Sequence, residues 1–310
     1  MPIVKYRNYN NFDFQREDIV SKLLATKEFI INEFVHGGHL LSLGSSAVAL
    51  STMLLLRTMI RWEFLLIAYL CPLCVYSFDH YKDIEKDAAS NADRTNHLKK
   101  YNKLHPIIIG IYGIMFFALL IYFGNLASLI FGVVLLLTGL VYTSKIKNLT
   151  TKITGFKSVY TSLSVASLII FTGIYCSYPL GPVLLLLFVF LFFRLMVNTC
   201  FCDIKDMEND KKYQIKTLAV VLGKEKLLVI LHMINIISLV PIFIGVYLHL
   251  LPLFSLLLVV LIMYSFYYIQ KSKHKETNIQ SLSSIVVDGE YAFWPFILFV
   301  GSSLIPFLIK

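Results

Sequence analysis

Nine predominantly apolar stretches, each close to the length that crosses a bilayer as a helix, divide this chain and leave little else it can fold into. A spanning helix needs about 20 such residues. Runs of suitable composition lie at Gly38 to Leu56, Phe64 to Phe78, Pro106 to Phe123, Leu126 to Thr143, Val159 to Cys176, Gly181 to Phe201, Leu227 to Tyr247, Leu250 to Ile269 and Tyr291 to Ile309. In lipid every backbone N–H and C=O must find a partner inside its own segment or in a closed barrel, and continuous runs of this length choose the helix. The second run is the shortest and is expected to continue as a helix into the charged sequence after it. Links as short as Gly124-Asn125 and Leu248-His249 make neighbouring spans antiparallel hairpins. The predicted fold is an all-α polytopic membrane bundle of about nine transmembrane helices. With 57% hydrophobic residues and a mean hydropathy of +0.72, a soluble domain is excluded. The first 36 residues are polar and charged, with no short apolar run before a cleavage site, so no secretory signal is expected there.

Charge orients the bundle. Of the 28 lysines and arginines, 24 fall in the N-terminal segment and in the loops after the second, fourth, sixth and eighth runs. Arg57, Arg61 and Lys310 lie on the other side, and Arg194 alone lies inside a run. By the positive-inside rule the N-terminus and the four long loops are cytoplasmic and the protein sits in the cell membrane. The net charge of +9 is spread through these loops, which gives no basic domain for nucleic acid and suits a partnership with membrane lipids. Residues 1–36 read as a cytoplasmic, interfacial segment and 37–310 as the membrane domain. Within the first, Phe14 to Val35 carries Ile19, Val20, Leu23, Leu24, Ile30, Ile31 and Phe34 at helical spacing, as an amphipathic interfacial helix or a packing helix would. The five cysteines all lie in or beside apolar runs, which predicts neither a disulfide framework nor a zinc site.

The acidic residues carry the chemistry. Nine of 19 are concentrated in two stretches, Asp79 to Asp93 and Asp203 to Asp210, each following an even-numbered run and hence on the same face. Asp79, Asp83 and Asp87 stand at i, i+4 and i+8, while Asp203, Asp206 and Asp210 stand at i, i+3 and i+7, so each set forms a row along one helix face. Like charges so placed repel. Magnesium offsets that repulsion, because it prefers oxygen ligands and is usually held by one or two carboxylates plus substrate phosphates. Two rows at one mouth of a bundle are arranged to hold magnesium with a diphosphate between them. Breaking the carbon–oxygen bond of an allylic diphosphate leaves a highly charged leaving group that such a site stabilises.

The first stretch, Asp79-His-Tyr-Lys-Asp83-Ile-Glu-Lys-Asp87, resembles the N-x-x-x-D-x-x-x-D motif of the UbiA prenyltransferase superfamily, with Asp79 where asparagine is usual. The second, from Asp203 through Asp206 and Asp210 to Lys216-Thr-Leu-Ala-Val-Val-Leu-Gly223, is similar to the family's D-x-x-x-D stretch and its K-T-L-A-V-x-L-G tail. The arginine–proline pair common downstream of the first motif is missing, and Asn91-Ala-Asp93-Arg94 stands there instead. The resemblance implies an all-helical bundle with a membrane-embedded cavity, a prenyl diphosphate donor, a lipophilic and often aromatic acceptor, and Mg2+ as cofactor. It implies catalytic and metal roles for Asp83, Asp87, Asp206 and Asp210, with Asp79 and Asp203 as further metal ligands.

Charge adds candidates for the diphosphate. Arg94, Lys152, Lys157 and Lys216 lie in loops near the rows, where contact with substrate or with lipid headgroups is equally open. Arg194 lies two turns before Asp203 inside a run, where a charge faces a cavity or a partner, and Asn198 follows one turn later. Within the same superfamily a terpene cyclase, a haem farnesyltransferase or an ether-lipid prenyltransferase are alternatives. A transporter should hold its charges near the midplane, and a catalytically silent scaffold has no need of intact rows.

Overall fold

The computed structural model describes residue 22, residues 26–85, residue 88 and residues 91–274 and 276–308, with side chains through 304. Among these residues, nine helical segments are long and apolar enough to cross a membrane. After α1 (26–36) come α2 (His39–Leu56) and α3 (Trp62–Asp83), the short α4 (Ala92–Lys99), α5 (His105–Phe123) and α6 (Leu126–Ser144). A 3-10 turn at Ile146–Thr151 leads to α7 (Phe156–Tyr175), followed by α8 (Pro182–Lys212), the single turn α9 (Leu218–Leu222), α10 (Lys224–Ile237), α11 (Val240–Tyr247) and α12 (Val260–Lys271). The final span runs Ile279–Leu304. No strand occurs among the described residues.

Helix boundaries decide where the charged side chains fall. The second helix does continue into charged sequence as expected, ending at Asp83, and α8 runs eleven residues beyond the expected Phe201. The last span begins at Ile279 and not at Tyr291, because the polar Gln280, Ser281, Ser283 and Ser284 form helix, where the hydroxyls of Ser283 and Ser284 bond back to carbonyls four residues earlier. The seventh span is divided between α10 and α11 at Ser238, where Pro241 removes a donor from the ladder.

Burial follows side-chain size more than hydropathy. α2 is the most enclosed span although α5 is far more apolar. Its Gly44, Ser45, Ala47, Ala49 and Ser51 are all buried and let neighbouring backbones approach, which is how helices associate where lipid removes the hydrophobic incentive. One glycine sets the wall of the central cavity: a Cβ on Gly139 of α6 would stand 2.6 Å from Val75 of α3. The outer helices α5 and α6 turn Ile107, Ile114, Ile121, Ile130 and Leu137 outward, as a lipid-facing surface requires. All five cysteines are free. Of the predicted amphipathic segment, residues 26–36 are helical, with Phe29, Ile30, Ile31 and Phe34 exposed, and most of 14–25 lies outside the described residues.

Candidate active site

The helix geometry of α3 puts Asp79 and Asp83 one turn apart at its end, and that of α8 puts Asp203, Asp206 and Asp210 along one face of its last three turns. Both sets line a single cavity of about 490 Å3. Apolar lining comes from Leu41, Ala68, Val75, Leu135, Val165 and Leu168, of which Ala68 and Val75 precede Asp79 on α3 and Val165 and Leu168 follow Lys157 on α7. Tyr76, Tyr142 and Tyr160 line the cavity too. The rings of Tyr142 and Tyr160 stack at 4.4 Å.

Each row is gripped by a lysine. Lys147, on the 3-10 turn, donates to Asp79 at 2.9 Å and also to Asp83. Burial works against its ammonium, but the charges of Asp79 and Asp83 overcome this and hold it above the usual lysine range, so it stays charged. Lys157, in the first turn of α7, lies 2.8 Å from Asp203 and 3.7 Å from Asp210. Ser158 donates to Asp203 at 2.8 Å. The loops bearing these lysines are fixed through backbone: Lys216 N–H donates to Thr150 O at 2.9 Å, and Gly155 N–H to Lys216 O at 2.8 Å. Gly155 sits at φ +72°, a conformation glycine tolerates, and it starts α7 where Lys157 reaches the row. The Lys216-to-Gly223 stretch is thus built into the scaffold, with Thr217 capping α9 through Val220 N–H.

A second layer joins the rows. Asn91 donates to Asp206 at 3.4 Å and accepts from Gln280 of the final span at 3.5 Å, while Arg94 of α4 lies 3.2 Å from His80. Six aspartates and four cations line the cavity, an excess of negative charge among the described residues. Oδ2 of Asp210 is buried without a hydrogen bond. No three ligating side chains converge on one point among the described residues. The surplus of carboxylate oxygens is what fits magnesium, which prefers oxygen ligands and is usually held by one or two carboxylates plus substrate phosphates.

Of the residues expected from sequence, Asp79, Asp83, Asp203, Asp206, Asp210, Arg94 and Asn198 all line the cavity, as does Lys157. Asp87 lies outside the described residues. Lys152 and Lys216 do not line it. Arg194 is a correction: its guanidinium, 1% exposed, donates to Glu290, Asn235 and Ser265 and faces packed helices, not the cavity. A buried partner satisfied the charge, and that partner was hidden because the final span starts earlier than expected. Lys147, Lys205, Asn91 and Asp288 line the cavity without having been singled out. Nothing in sequence separates Lys147 from Lys145, whereas Asp288 and Glu290, two acids beside an apolar run, were a usable signal.

A family model described as the UbiA prenyltransferase family matches residues 40–296. The fold is similar to the apo structure of a UbiA homolog from Aeropyrum pernix K1, with a TM-score of 0.66 at 12% identity over 85% of this chain and 97% of that one. It is similar also to a UbiA homolog from Archaeoglobus fulgidus bound to GPP and Mg2+, with a TM-score of 0.63 at 14% identity over 88% and 99% of the two chains. A structure reported for digeranylgeranylglyceryl phosphate synthase gives 0.58 at 16% identity, over 89% and 99%. No curated protein matches the sequence significantly.

Proposed function

The chain belongs to the UbiA prenyltransferase family, and on that premise we propose that it transfers a prenyl group from an isoprenoid diphosphate to a lipophilic acceptor. The observation that carries this reading is the single cavity in which two lysine-gripped aspartate rows meet an apolar pocket. The charged zone suits a diphosphate and the apolar zone an isoprenoid chain. Asp79, Asp83, Asp203, Asp206 and Asp210 are the residues that would hold magnesium, with Asp87 joining them by its place in the motif. When bound, Mg2+ neutralises charge developing on the departing diphosphate.

The chain's own groups do the rest. Lys147 and Lys157, each 30% exposed or less, present ammonium donors to the diphosphate oxygens, and Arg94 supplies a third cation from α4. Tyr76, Tyr142 and Tyr160 line the same cavity, and aromatic rings there suit a carbocation that needs shielding. Val165 and Leu168 help keep water from the allylic cation. A transporter is disfavoured, since these charges gather at the ends of α3 and α8 and not at mid-span. On the same reading, the loop charges favour a cell-membrane protein whose N-terminus and cavity mouth face the cytoplasm, with the catalytic domain taken to begin at residue 37.

The test is pyrophosphate release from geranyl diphosphate with Mg2+. Asp83→Ala and Asp206→Ala should each lower it by about 10³-fold, or about 4 kcal/mol in barrier, while the variants elute from detergent like the wild type. Undiminished turnover in either would remove the assignment.

A further inference from the structure

The cavity contains a carboxylate that belongs to neither row. Asp288 lines it from the final span, on the side of α8 that bears Asn198, Cys202 and Lys205. Its carboxylate accepts a weak contact from the Cys202 thiol at 3.8 Å, meets the Asn198 side chain, and feels the charges of Lys205 and Arg94. The two row lysines are engaged elsewhere, Lys147 with Asp79 and Asp83, and Lys157 with Asp203 and Asp210.

The backbone that carries it is irregular and pinned. A π-helical turn at Leu282–Val287 precedes Asp288, and a 3-10 turn begins at Glu290. Such insertions re-aim side chains and free carbonyls that need new donors. Here Tyr264 donates to Val286 O at 2.7 Å and Asn198 to Val287 O at 2.9 Å. Two residues beyond Asp288, Glu290 is held by Arg194 from α8. An ion pair with both partners at 1% exposure is a costly fixture inside a membrane domain. Its position accounts for it: it anchors the distorted segment that turns Asp288 into the cavity.

Resting on the prenyl-transfer reading, we infer that Asp288 is the group that receives the acceptor's proton. The nucleophilic atom of a lipophilic acceptor forms a bond to C1 of the prenyl group, the C1–O bond breaks, and its electron pair leaves on the diphosphate. The proton carried by that nucleophile passes to the Asp288 carboxylate and then to water. The row carboxylates are disposed to hold cations, and a separate base spares them that task. Arg194 and Glu290 are positioning residues for this base.

The experiment uses the full-length protein in detergent with geranyl diphosphate and Mg2+ as donor and a total membrane-lipid extract in mixed micelles as acceptor source. Prenylated lipid is counted by mass spectrometry and pyrophosphate by coupled assay. Asp288→Asn should lower the kcat for prenylated product by about 10²-fold or more, the range of a lost general base. Its KM for geranyl diphosphate should stay within about threefold, and pyrophosphate released per product should rise, because ionised donor is then captured by water. Asp288→Glu, which keeps the carboxylate, should recover at least about a tenth of wild-type product. Product formation by Asp288→Asn close to wild type overturns the inference, and so does a KM rise that accounts for the whole loss. If Asp288→Asn fails to fold, Asp288→Glu decides: folded and as inactive as a row variant, it overturns the assignment. A wild type that releases no pyrophosphate from donor is a different result, which removes the prenyl-transfer reading itself.

Discussion

Two ionic networks lie in this bundle, and they differ in balance. Around Arg194, one guanidinium meets one carboxylate, and Asn235, Ser265 and the Leu261 carbonyl take up its remaining donors. At the cavity, six aspartates share four cations, and an oxygen of Asp210 has no hydrogen bond. The first network is closed and dry, satisfied by protein alone. The second is left open, with more negative charge than the lining residues themselves neutralise. A membrane domain tolerates the first as a structural fastening, whereas the second makes sense only if something from outside completes it.

The comparison breaks most readily at the closed network. Arg194→Met strands Glu290 as a buried, unpaired carboxylate and should cost about 3–5 kcal/mol of stability, seen as a lower melting temperature in detergent. Arg194→Met with Glu290→Leu should recover much of that loss while leaving prenyl transfer impaired, because the pinned turn is released. A double variant with full activity would contradict the positioning role.

At the open network the same kind of change should behave differently. Lys157→Met leaves Asp203 and Asp210 without their lysine, at about 2 kcal/mol in chelator. Mg2+ should restore this variant, raising its melting temperature by more than it raises the wild type's, since the vacated carboxylates are oxygen ligands. Equal shifts in the two proteins would argue against a cation site there.

The smallest effect tests a third cluster, outside the spans. Glu33 of α1 accepts from His97 at 2.7 Å and Tyr101 at 2.5 Å, with His39 at 3.4 Å, tying α1 to α4 and so to Arg94. Burial would raise its carboxyl, but the bonds from His39, Tyr101 and His97 outweigh that and bring it down to about 2 from 4.5. A lowered folded-state value contributes stability that is complete above pH 4.5 and lost as pH falls toward 2. Glu33→Gln should therefore be destabilised by about 1.5 kcal/mol near neutrality, with the gap to wild type closing in that acid window. A gap unchanged down to pH 2 would show that the carboxylate's charge contributes nothing.

The number and order of the spans, with Asp79 and Asp83 on α3 and Asp203, Asp206 and Asp210 on α8, could be read from the chain alone, because hydropathy over about 20 residues and helical spacing are local properties. The first row was read as longer than this, whereas α3 ends before Asp87, which lies outside the described residues. Asp79, Asp83, Asp203, Asp206 and Asp210 were legible for that reason: each row is one helix face. What each charge meets emerged only from the folded bundle. Arg194 read as a site residue until Glu290, 96 positions away, was placed against it. Lys147 was one lysine among several until the 3-10 turn carried it to Asp79, and Asp288 was a loop acid until the final span was seen to begin at Ile279. Partners so distant in sequence leave no local periodicity, and a charge in a membrane protein takes its role from its partner.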